Sequence, residues 1–175
     1  MVRRLAFLAS LSPLGFLPAL VQSQTVGSAA PPCTAPPYQQ FDFWIGEWKV
    51  LTADGKAAGS SRITSILGGC VILEEWTGAG GPSIGKSFNI FDASRKRCHQ
   101  SWVDNGGTLA QFDGGLTDGA MILEGPAVGP NGVTLRSRMT FTPLPDGRIR
   151  QQWENSSDGG KSWTSAFDGY YSRTP

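Results

Sequence analysis

The chain has 175 residues, 39% hydrophobic and 17% charged, with 23 Gly, 9 Phe and 6 Trp. That is enough for one domain and a targeting segment, and it excludes an intrinsically disordered chain. A formal charge of +1 gives no basic face for nucleic acid, so no nucleic-acid partner is expected.

Arg3 and Arg4 open the chain, and Leu5 to Leu20 follows as a mostly apolar stretch without charge. The pattern predicts a signal peptide over 1–23, cut after Val21-Gln22-Ser23, and so a protein of the periplasm or secreted beyond it. An uncleaved anchor is the alternative. The stretch is short for a spanning helix and contains Pro13 and Pro18, so no stable membrane span is expected after signal removal. Without Arg3 and Arg4, 13 Lys and Arg face 14 Asp and Glu. Residues 24–38 read as a Pro-rich linker and 39–175 as the folded domain. Export permits a disulfide, and Cys33, Cys70 and Cys98 allow three pairings.

From Phe41 onward the chain falls into short runs separated by turn pairs such as Asp54-Gly55, Asn105-Gly106, Asp118-Gly119 and Asp146-Gly147. Such pairs reach positive φ at little cost and favour hairpins. They delimit ten expected strands, near 47–53, 57–67, 70–78, 84–91, 96–104, 108–114, 120–125, 133–142, 148–155 and 162–173. Several runs alternate: Val133, Leu135, Met139 and Phe141 share one face, and Ile149, Gln151 and Trp153 oppose Arg148, Arg150, Gln152 and Glu154. Only 39–45 offers one or two helical turns. Ten hairpin-linked strands need protected edges, so an all-β, antiparallel up-and-down β-barrel is expected, with two packed sheets as runner-up.

Gly46-Glu47-Trp48, placed just before the first strand, resembles the Gly-x-Trp signature of the lipocalin and wider calycin group. The resemblance implies that Trp48 plugs one end of a barrel, with Arg173 as its cation–π partner. The stretch 39–173 also resembles an uncharacterised bacterial envelope family that opens with Phe-Asp-Phe-x-x-Gly-x-Trp. Gly69-Cys70, Glu74-Glu75-Trp76, the run Gln100 to Asp104 and the ending Phe167-Asp168-Gly169-Tyr170-Tyr171 carry it. Cys98 departs from the aromatic usual there. This family implies the fold and no reaction. Ser156-x-Asp158-x-Gly160-x-Ser162-Trp163 resembles a sialidase Asp-box, read here as a capped turn rather than a glycosidase clue.

Candidate ligand-binding residues are the polar and aromatic groups at regular strand positions: Asn89, Gln100, Trp102, Arg138, Arg150, Gln152 and Glu154. Pointing inward they line a cavity; pointing outward they are solvated sheet faces, and period alone does not choose. Carboxylates at Glu74/Glu75 and Asp104 make an enzyme conceivable, with Glu75, Asp104 and Arg138 as the catalytic candidates. The sole histidine, His99, argues against a metal or haem site, and no cofactor is expected. Three functions follow: an exported binder of a small, partly apolar ligand, a cofactor-independent lyase or isomerase, and a non-catalytic envelope module.

Overall fold

Residues 33–174 are described by a computed structural model. The expected signal, 1–23, and residues 24–32 of the lead-in lie outside the described residues. The alternation of core and solvent residues resolves into β1 (Gly46–Thr52), β2 (Ala57–Ile66), β3 (Val71–Gly78), β4 (Ile84–Asp92) and β5 (Arg97–Asp104), then β6 (Leu109–Thr117), β7 (Ala120–Val128), β8 (Thr134–Pro143), β9 (Ile149–Ser156) and β10 (Thr164–Arg173). Every neighbour is antiparallel, and β1 pairs with β10 to close a ten-stranded up-and-down barrel of the calycin/lipocalin type. Closure gives every strand a hydrogen-bonded neighbour on both sides.

Two strands outrun their expected limits by more than one residue. β6 and β7 each continue three residues further, to Thr117 and Val128. Gly114 and Gly125, the last residues of the two expected strands, are positions where a neighbouring strand comes close. A Cβ on Gly114 would collide with the Ile122 carbonyl, and one on Gly125 with that of Gln111.

One end of the barrel is plugged. The short 3-10 turns Pro36–Gln39 and Asp42–Trp44 lead into β1 and lay Phe41 and Trp44 across the interior, both fully buried. Trp44 packs 4.7 Å from Phe141, centroid to centroid. The Trp48 indole N–H donates to the Trp44 carbonyl at 2.9 Å. Arg173 covers the Trp48 ring at 4.5 Å, in the β1–β10 pair that closes the barrel. The expected cation–π partner is thus in contact.

A disulfide joins Cys33 to Cys70, just before β3, and ties the lead-in to the plugged end. So residues 33–38, which composition assigns to the linker, are attached to the barrel. The Gln40 side chain adds a second tie by accepting the Leu116 N–H at 2.9 Å. Cys98 stays unpaired and buried in the core. Burial pushes its thiol up to about 11.

Candidate functional site

Toward the other end the interior is not filled. A cavity of about 320 Å³ opens there. Its walls come from β3, β5, β8, β9 and β10: Trp76 from β3, Trp102 from β5, Trp153 from β9 and Phe167 from β10, with Met139, Gln151 and Tyr171 nearer the plug. A bulge between Ser165 and Phe167 keeps Phe167 opposite Trp153 on the inner face. Two indoles pack against glycines of the adjoining strand. A Cβ on Gly59 would meet Trp76 Cζ2 at 2.6 Å, and one on Gly85 would strike Trp102. Near the mouth, the β6–β7 register is paired only from Asp113↔Glu124 onward, and Leu109 and Val128 form an exposed apolar lip.

A polar strip crosses this apolar wall. Glu74 is 3% exposed. Ser61 Oγ donates to its Oε1 at 3.0 Å and Ser87 Oγ to its Oε2 at 2.8 Å. Desolvation outweighs these two hydrogen bonds and raises the carboxyl to about 7. Asn89 Nδ2 donates to Ser87 Oγ at 2.9 Å and to the Ile72 carbonyl at 3.1 Å. Gln100 Nε2 donates to Asn89 Oδ1 at 2.7 Å. This order fixes both amides. The Ile72 carbonyl only accepts, so Asn89 must present its NH₂ there and its oxygen to Gln100. Gln100 must then present its NH₂ to Asn89, which leaves Gln100 Oε1 buried and without a partner among the described residues.

The other donors of the wall are mostly taken. Trp153 Nε1 donates to Ser137 Oγ at 2.6 Å, and the Tyr171 hydroxyl donates to Gln151 Oε1. Gln151 Nε2 lies 2.9 Å from Met139 Sδ. Trp102 Nε1 donates at 3.2 Å to Asp104, which sits at the mouth. The Asp104 carboxylate also accepts the Gly106 and Thr108 backbone N–H groups, at 2.9 and 3.0 Å. The Thr108 bond is the largest influence holding it below the ordinary aspartate value.

The sequence candidates divide by strand parity. Asn89, Gln100 and Trp102 lie on inner rows, and Gln100 and Trp102 line the cavity. Arg138, Arg150, Gln152 and Glu154 lie on the outer rows of β8 and β9. There Arg138 pairs with Glu154 at 2.9 Å, and Arg150 with Asp168 at 2.7 Å. Arg138 also covers the outer Trp163 at 4.0 Å. Glu75 faces outward between Arg62 and Lys86, which hold its carboxyl low, Lys86 first. The inward carboxylate is its neighbour, Glu74. The available signal is parity with an aromatic, because Ile72, Glu74 and Trp76 share a face.

His99 also faces out. Its Nδ1 is 2.8 Å from Asp113 Oδ1 and its Nε2 2.9 Å from Ser101 Oγ. The distances suit a Ser–His–Asp relay, but Ser101 is paired in mid-strand with both Phe88 and Gln111. The amides around it are spent on the ladder and supply no oxyanion hole. The Asp-box-like stretch is a capped turn. Asp158 Oδ1 accepts the Lys161 and Ser162 N–H groups, each at 2.9 Å.

No family model matches the chain, and no curated protein matches it.

Proposed function

We propose that the protein is an exported carrier that holds one small, partly apolar molecule inside the barrel. The observation that carries this reading is the cavity of about 320 Å³ with aromatic walls and a buried polar strip. Sites for small molecules combine an apolar concavity with a few converging polar groups, and calycin-type barrels are suited to hold one. Export is supported by the charged-then-apolar pattern of residues 3–20 and by a disulfide, which is at home in an oxidising compartment. The Phe41-Asp42-Phe43 opening and the motifs after it support a place among the bacterial envelope domains they resemble.

Native mass spectrometry of the protein purified from its own host tests the carrier. The expected result is a non-covalent mass that leaves on unfolding. A bare chain that also takes up nothing from a panel of small aromatic compounds would overturn it, in favour of an inert envelope module. A second reading is favoured by the Glu74 carboxyl, which titrates near neutrality on the cavity wall. In a cofactor-independent lyase or isomerase, Glu74 would take and return the proton. Turnover of the retained molecule, lost in Glu74→Gln, separates that reading from a carrier.

A further inference from the structure

Resting on the carrier reading, the chemistry of the cavity wall narrows the ligand class. On the cavity wall the unmet demand is for a donor; the other buried atom without a partner among the described residues, Trp44 Nε1, lies in the plug. Gln100 is 2% exposed, and its Oε1 has no partner among the described residues. Its orientation is forced through Asn89 by the Ile72 carbonyl. Glu74 offers a carboxylate with one serine hydroxyl on each oxygen, which leaves further lone pairs. Asn155 Oδ1, nearer the mouth, is also unpartnered. The indoles of Trp102 and Trp153 and the Tyr171 hydroxyl are already donating. No Lys, Arg or His is among the lining residues, and Asp104 puts a further negative charge at the mouth. An anion would meet like charge and no counter-cation; an ammonium would meet a carboxylate, an amide oxygen and the faces of several aromatic rings.

We propose that the ligand is a primary or secondary organic amine, bound as its ammonium. Its N–H groups point to Glu74 and Gln100 Oε1, and its apolar part lies among Trp76, Trp102, Trp153 and Phe167. The cavity equals roughly ten water volumes at ~30 Å³ each, the scale of an aryl-alkyl amine. The groups facing Glu74 are Ser61 on β2, Ser87 on β4, Tyr171 on β10 and the lining Gln100 on β5. Of these only Tyr171 titrates, and burial followed by the Glu74 charge keeps it neutral through the physiological range. An ammonium therefore selects ionised Glu74, and below about pH 7 its binding must expel a proton.

The test is calorimetric titration of the wild-type protein with three probes of one shape: 2-phenylethylamine, 2-phenylethanol and 3-phenylpropionate. At pH 8 the amine is expected to bind about tenfold more tightly than the alcohol, the scale of a charge-assisted hydrogen bond, and the carboxylate more weakly than either. Amine affinity should fall toward about tenfold per pH unit below pH 7, with no such slope for the alcohol. Glu74→Gln should remove both the advantage and the slope while the alcohol still binds, which shows that the variant is folded. Alcohol or carboxylate binding as tight as the amine would overturn the amine and leave the carrier standing. No binding of any probe to the folded wild type would overturn the amine, and together with a bare chain from the host it would overturn the carrier as well.

Discussion

Glu74 owes its behaviour to a single parity choice on β3. Its neighbour Glu75 sits between two cations in solvent, while Glu74 is walled in with two hydroxyls and no cation. Burial carries its carboxyl from 4.5 to about 7, so the folded chain prefers the protonated form. Below pH 4.5 both states hold the proton and nothing is lost. Between 4.5 and about 7 the unfolded chain ionises first, and stability falls as pH rises. Above 7 the loss is complete, at roughly 3 kcal/mol. Thermal unfolding across pH 4–8 should therefore show a decline in the wild type that Glu74→Gln lacks, so that the variant gains on it toward pH 8. Parallel curves for the two proteins would place the carboxyl in contact with water. The outer Asp92 and Asp158 have the opposite sign. Their hydrogen bonds, from Arg95 and from Ser162 first, hold both carboxyls far below the ordinary range, so their contribution is lost only in strong acid.

At the scale of elements the two barrel ends are built differently. The plugged end is over-determined: a disulfide, two 3-10 turns, a buried indole and a covering guanidinium converge on it. The Cys33–Cys70 link closes a separation of 37 residues, which corresponds to about 3–4 kcal/mol of chain entropy. Reduction, or replacement of both cysteines by serine, should lower Tm by on the order of 10 °C without changing the far-UV spectrum. Removing the Trp48 side chain should cost more, about 3–5 kcal/mol in denaturant unfolding for Trp48→Ala, against roughly 1 kcal/mol for the exposed Arg173→Ala. A similar loss from both would mean that the guanidinium holds the plug as much as the ring does. The open end depends on Gly59 and Gly85, whose missing side chains let the indoles of Trp76 and Trp102 lie against the wall. Turn pairs and alternation made the strands legible, because hairpin chemistry is local. The roles of Gly59, Gly85, Gly114 and Gly125 were not, because a close approach depends on the strand next door.

For the whole molecule, closure decides which alternating row becomes interior, and that is a tertiary fact. Before closure Arg138, Arg150, Gln152 and Glu154 were equivalent in pattern to Asn89, Gln100 and Trp102 as candidates. After closure the charged rows pair with one another outside, and the amides and indoles remain within. The Gly46-x-Trp48 plug and its Arg173 partner were readable because a sequence signature carries them; the depth of the cavity above them was not. The most direct test of that interior site is the indole N–H region of a ¹⁵N spectrum during titration with 2-phenylethylamine. The six tryptophans divide cleanly: Trp76, Trp102 and Trp153 line the cavity, Trp44 and Trp48 form the plug, and Trp163 lies outside under Arg138. Saturable shifts concentrated on the first three are predicted. Shifts confined to Trp163, or none at any concentration, would contradict an interior binding site.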